Sequence, residues 1–165
     1  MPIRLALCFA VLITAAAVTT AASDESKTVT RLQTDASRIA SAVWVGDMLY
    51  VSGQLPSPMT PADAAKGTAA VYGNTQAQSE SAFAKIQALL KEQGLSMGDV
   101  VMMRVYMAAD PATGKLDFAG MNAAFAKYFG TPEQPNKPAR SALQVAALVA
   151  AGALVEIEVQ AARNR

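Results

Sequence analysis

The 165-residue chain has no histidine, and its single cysteine, Cys8, falls in an N-terminal segment expected to be removed, so the chemistry expected of the remaining chain comes from arginine, carboxylates, serine, tyrosine, lysine and backbone groups. A Ser-His-Asp or Cys-His nucleophilic system is excluded. Zinc and copper sites normally use Cys or His, so no metal centre is expected. Three local patterns carry the remaining possibilities. In Pro138-Ala139-Arg140-Ser141, a guanidinium at the start of a strand offers a permanently charged two-pronged fork for a carboxylate. The same residue can equally be a solvated arginine or the partner of a structural acid. In Leu154-Val155-Glu156-Ile157-Glu158, the strand period of two puts both acids on one face. There they can position water for acid-base work, or form the solvent face of an amphipathic strand. In Val51-Ser52-Gly53-Gln54, a strand ends in a hydroxyl and a glycine that admits close approach of a ligand, which is also how an ordinary strand exit reads. Asn122 falls four residues after Phe118, on or beside an apolar helical stripe, where an amide needs a partner.

The elements that must hold these groups are marked by periodicity and punctuation. A short strand is expected around Thr28–Leu32. Ala42–Val45 and Met48–Ser52 form a hairpin across Gly46-Asp47, a pair suited to a two-residue primed turn. Residues 55–73, with three prolines, read as a loop. A helix follows, opened by a Thr75-x-x-Gln78 capping box, lined by Phe83, Ile86 and Leu90, and stopped at Gly94. Val100–Met107 is an apolar strand interrupted only by Arg104. A second helix runs from the N-cap Asp117 to Gly130, with Phe118, Met121, Phe125 and Phe129 as its inner stripe. Pro138 leads a strand through Ser141–Val145, and residues 153–160 alternate apolar with polar. The resulting order, β-β-β-α-β-α-β-β, predicts an α+β domain: a mixed sheet with both helices on one face.

Residues 1–22 are set apart from this domain. A basic start at Arg4, an apolar run over Leu5–Val18 and small residues up to Ala22 read as a secretory signal peptide. The run is short for a transmembrane helix. The expected mature chain is a single domain, 23–165, periplasmic or secreted, with no membrane association after cleavage. Removing Cys8 leaves it without a thiol. Removing Arg4 lowers the Lys and Arg count from 14 to 13, equal to the 13 Asp and Glu. A neutral domain lacks the bulk attraction on which nucleic-acid binding usually rests, so no nucleic-acid partner is expected.

Taken in order, the motifs resemble the RidA (YjgF) family of enamine/imine deaminases from Val43 to Ala162. The matching pieces are the stretch Gly46 to Pro56, the helix Gln76 to Gly94, and Gly98-Asp99-Val100-Val101. They continue with Asp117 to Asn122 and on through Tyr128-Phe129, then Pro138-Ala139-Arg140-Ser141 with Gln144 to Leu148, and finally Gly152 to Glu158. The resemblance implies a chorismate-mutase-like fold and a homotrimer with ligand sites in clefts between subunits. It also implies hydrolysis of imines such as those from 2-aminoacrylate to 2-oxo acids and ammonia, without a cofactor. Arg140 then matches the arginine that grips the substrate carboxylate, and Glu156 the acid that holds the attacking water. Ser52, Gly53, Asn122 and Ala142 match positions lining the cleft. Two positions depart from the family pattern: Ile39 stands where an aromatic residue, often Tyr, is usual, and Ala142 where a cysteine is usual. Segment 57–73 is longer than the family's loop. The alternative reading is a non-catalytic trimeric protein that binds a small carboxylate. A third, suggested by activities attributed to relatives, is RNA cleavage or chaperoning.

Overall fold

The computed structural model describes residues 28–163, so the expected signal peptide lies outside the described residues. The strands are β1 (Val29–Leu32), β2 (Ala42–Val45), β3 (Met48–Gln54), β4 (Val100–Met107), β5 (Ala139–Gln144) and β6 (Val155–Ala162). The helices are α1 (Thr75–Glu92) and α2 (Phe118–Phe125). This is the expected order. The six strands form one sheet, β1-β2-β3-β6-β4-β5. All neighbours are antiparallel except β4 and β5, which run parallel and reach each other through the α2 crossover.

The strand alternation sorts side chains to two faces. Leu49, Val51, Met103, Val105, Met107, Val155, Ile157 and Val159 point to one side. There they bury against Phe83, Ile86 and Leu90 of α1 and against Met121 and Ala124 of α2. Phe83 is the aromatic hub, with ring centroids 5.1 Å from Tyr128 and 6.0 Å from Phe129. The opposite face carries Tyr50, Met102, Arg104, Tyr106, Glu156, Glu158 and Gln160, and among the described residues no helix covers it. Tyr50, at 42% exposure, and Leu143, at 50%, leave apolar surface on that open face.

Several local expectations change in detail. Asn74, not Thr75, caps α1 by accepting from the Ala77 N–H at 2.9 Å. Gln78 therefore does not close a capping box. It is buried, donates to the carbonyls of Gly73 and Gly152 at 3.0 and 3.1 Å, and accepts from the Leu154 N–H at 2.7 Å. One amide thus ties the start of α1 to the segment that leads into β6. Asp117 does cap α2, through the Gly120 N–H at 2.8 Å. The helix ends at Phe125, and turns carry the chain to Gly130, whose φ of 74° needs glycine. Phe129 is buried, but Phe118 is 43% exposed and is not part of the inner stripe. In the hairpin turn, Gly46 has φ 58° and no described non-glycine residue has positive φ, the pattern of a II′ rather than a I′ turn. Segment 57–73 is not featureless. Thr60 bridges to Val71 and Asp63 to Thr68, and Tyr72 lies against Gly152.

Candidate functional site

Arg140 stands in register with Met103, so it faces the helical side of the sheet at the β5 edge. There the crossover brings α2 beside it. Its Nη2 donates to Asn122 Oδ1 at 2.9 Å, and its Nη1 lies 3.8 Å from Met121 Sδ. The guanidinium carbon is 4.5 Å from the Phe125 ring centroid and 5.7 Å from that of Phe118, within cation-π range. Of the two bland readings, a structural acid is not its partner: among the described residues no carboxylate pairs with it. Nor is it a freely solvated side chain, since it is partly buried. Desolvation shifts its pKa downward from the ordinary arginine value, and the group remains a cation at neutral pH. Held by rings and an amide oxygen, it keeps guanidinium N–H donors without described partners, which is the requirement for a carboxylate receptor. Ala142 follows on the same side of β5 and is exposed.

Glu156 lies on the other face. It stands opposite Tyr106 on β4, and its side chain runs across Gly53 of β3. A β-carbon at Gly53 would collide with the Glu156 carboxylate, so the glycine expected to admit a ligand in fact admits this acid. The register shift between Val51 and Gln54 opens the room for that approach. No described residue hydrogen-bonds the Glu156 carboxylate. Glu156 and Glu158 border an open cavity of about 330 Å³, walled by Tyr106, Val145, Leu148 and Val149. Ser52 sits nearby but its hydroxyl donates to the Ala40 carbonyl at 2.7 Å, so its proton is already committed. The adjoining Ile39 is 71% exposed.

Within one chain, then, the candidates form two groups: Arg140, Asn122 and Ala142 on the helical side, and Gly53 and Glu156 on the open side, with Ser52 at the entrance to the bulge. No single ligand can touch both Arg140 and Glu156 of the same copy, because the sheet stands between them. Sequence reasoning missed Phe118 and Phe125 as walls for Arg140. The spacing of seven that puts them on one helix face was visible, but both were assigned to the core. It also missed the pairing of Arg104 with Glu158. A larger cavity, of about 840 Å³, lies between α1 and residues 127–134 and contains none of the candidates.

The profile of the family described as Endoribonuclease L-PSP matches residues 30–163. A RutC family protein from Pyrococcus abyssi is 33% identical over 109 residues, covering 66% of this chain and 74% of its own. An Escherichia coli protein with the provisional name reactive intermediate deaminase TdcF is 30% identical over 120 residues, 73% of this chain and 82% of that one. Among solved structures, RidA from the Antarctic bacterium Psychrobacter superposes with a TM-score of 0.60 at 33% identity. The match covers 81% of this chain and 99% of that one.

Proposed function

The chain belongs to the Endoribonuclease L-PSP family, that of the YjgF, RutC and RidA proteins, and from that premise we propose that it is a cofactor-independent hydrolytic deaminase of imines bearing a carboxylate. The observation that carries this reading is the partly buried Arg140, held by Asn122 and two rings without an acidic partner among the described residues. The similarity to the protein named reactive intermediate deaminase supports it. In this reading Arg140 takes the carboxylate of an imine formed by tautomerisation of an enamine such as 2-aminoacrylate. Glu156 accepts a proton from a water that adds to the imine carbon and passes it to the imine nitrogen, giving a carbinolamine. Glu156 then takes the hydroxyl proton and delivers it to the amine as the C–N bond breaks and ammonia leaves. The remaining carbonyl completes a 2-oxo acid. Anchoring and orientation supply the rest of the rate, since an imine carbon is already electrophilic.

The sheet between Arg140 and Glu156 then requires two copies. The site forms where the Arg140 side of one subunit meets the Gly53–Glu156 side of the next, in a homotrimer. The uncovered apolar residues of the open face favour such association. The arrangement has a sharp test. Arg140→Ala and Glu156→Gln subunits, each inactive alone, are mixed by co-expression and ammonia release is measured. Random trimers restore about a quarter of the wild-type sites if each site draws on two neighbours. No recovery in trimers shown to be mixed refutes the shared site. The binding-protein reading draws support from exposed Ile39, which brings no hydroxyl to the mouth beside Ser52. It expects 2-oxo acid binding with no ammonia released by wild type.

Export is part of the proposal, resting on the pattern of residues 1–22. N-terminal sequencing of protein from the periplasm or medium should begin near Ser23. Intact Met1 protein confined to the cytosol would remove this element.

A further inference from the structure

Arg104 is the one charged residue in the apolar run Val100–Met107, and the reaction just described makes no use of it. The antiparallel register of β4 with β6 sets Arg104 opposite Glu158 and Tyr106 opposite Glu156, all on the open face. Arg104 Nη1 donates to Glu158 Oε1 at 2.6 Å. Both acids border the same cavity, whose remaining walls from 145–149 carry no charge. Arg31 from β1, Tyr50 from β3 and Tyr106 from β4 are the other titratable groups on this face. The cavity wall therefore holds two carboxylates, and the Arg104 guanidinium, on the neighbouring strand position, is bound to the acid not assigned to catalysis.

We propose that Arg104 is a positioning residue that holds Glu158 aside and cancels its charge, so that a carboxylate-bearing ligand beside Glu156 meets one negative charge rather than two. This rests on the reading that the cavity takes such a ligand. Charges several ångströms apart in a partly shielded site interact strongly enough to change ligand affinity on the order of tenfold. The effect weakens with added salt. As a merely architectural contact, an ion pair this exposed would add little stability and would not order ligand affinities by charge.

The test is a charge cycle on the purified, assembled protein, with 2-oxobutyrate binding measured by calorimetry and imine turnover by ammonia release. Arg104→Met should weaken binding about tenfold and raise KM by a similar factor, with kcat within about twofold. Glu158→Gln should bind more tightly than wild type. The double variant Arg104→Met/Glu158→Gln should return close to wild type, and Arg104→Lys should retain most of the affinity. High salt should compress the whole series. Circular dichroism and light scattering on each variant separate these effects from misfolding or dissociation, and should Arg104→Met fail to fold, Glu158→Gln against wild type decides the sign alone. Equal affinities across the folded series, or a double variant as weak as Arg104→Met, overturn the proposal. A charge-ordered binding series with no turnover in wild type sinks the deaminase reading and leaves this inference standing. Turnover without charge ordering does the reverse, and no 2-oxo acid binding by wild type ends both.

Discussion

Replacing Arg140 by alanine is expected to abolish both the binding of 2-oxo acids and the turnover of the corresponding imines. The guanidinium is fixed by the Asn122 amide oxygen and by the Phe118 and Phe125 rings, so its free donors already point in one arrangement. Losing one partner of a desolvated charge pair costs about 2–5 kcal/mol of binding, from roughly thirtyfold to several thousandfold in affinity. Arg140→Lys should rescue poorly. An ammonium keeps the charge but cannot supply two parallel N–H contacts, and it loses the planar stacking on Phe125. Titration with pyruvate, beside circular dichroism and light scattering to show an intact fold and assembly, reads the result. Equal pyruvate affinity in wild type and a folded, assembled Arg140→Ala would remove Arg140 from the site.

Glu156→Gln should separate chemistry from binding. The amide preserves shape and can still lie across Gly53, but it cannot take a proton from water. Loss of a general acid-base group lowers turnover by about a hundredfold or more, while affinity for pyruvate should stay within a few-fold of wild type. The contrast with Arg140→Ala is the informative part, because one variant loses its ligand and the other keeps it. Should Glu156→Gln turn over imines at the wild-type rate, the water-holding role belongs elsewhere, and Glu158 would be the next residue to examine. If it loses thermal stability and ligand together, Glu156 is a structural strand residue.

Much of this was legible in the chain itself. Alternation in residues 153–160 places Glu156 and Glu158 on one face, because the strand period is local and the buried Val155, Ile157 and Val159 leave no other register. Gly46, Gly94 and Gly130 marked ends that the backbone honours with positive φ. Composition alone removed histidine chemistry, since the chain has none. Element order and fold class followed from these signals, since each is written within a few residues.

Tertiary structure decided what depends on partners distant in sequence. Asn74 displaced Thr75 as the cap because Gln78 was needed to join Gly73, Gly152 and the Leu154 N–H. Phe118 lies outside the core, where its ring meets the Arg140 guanidinium of the edge strand. Gly53 yields its space to Glu156 through a register shift that no local pattern announces. Arg104 found Glu158 through the β4–β6 register. Above all, the sequence determined that Arg140 and Glu156 lie on strands, and only the pairing of those strands set them on opposite sides of the sheet. A strand's alternation says which of its residues share a face. Which face turns toward the helices, and which neighbour lies across it, is settled by burial of the whole core.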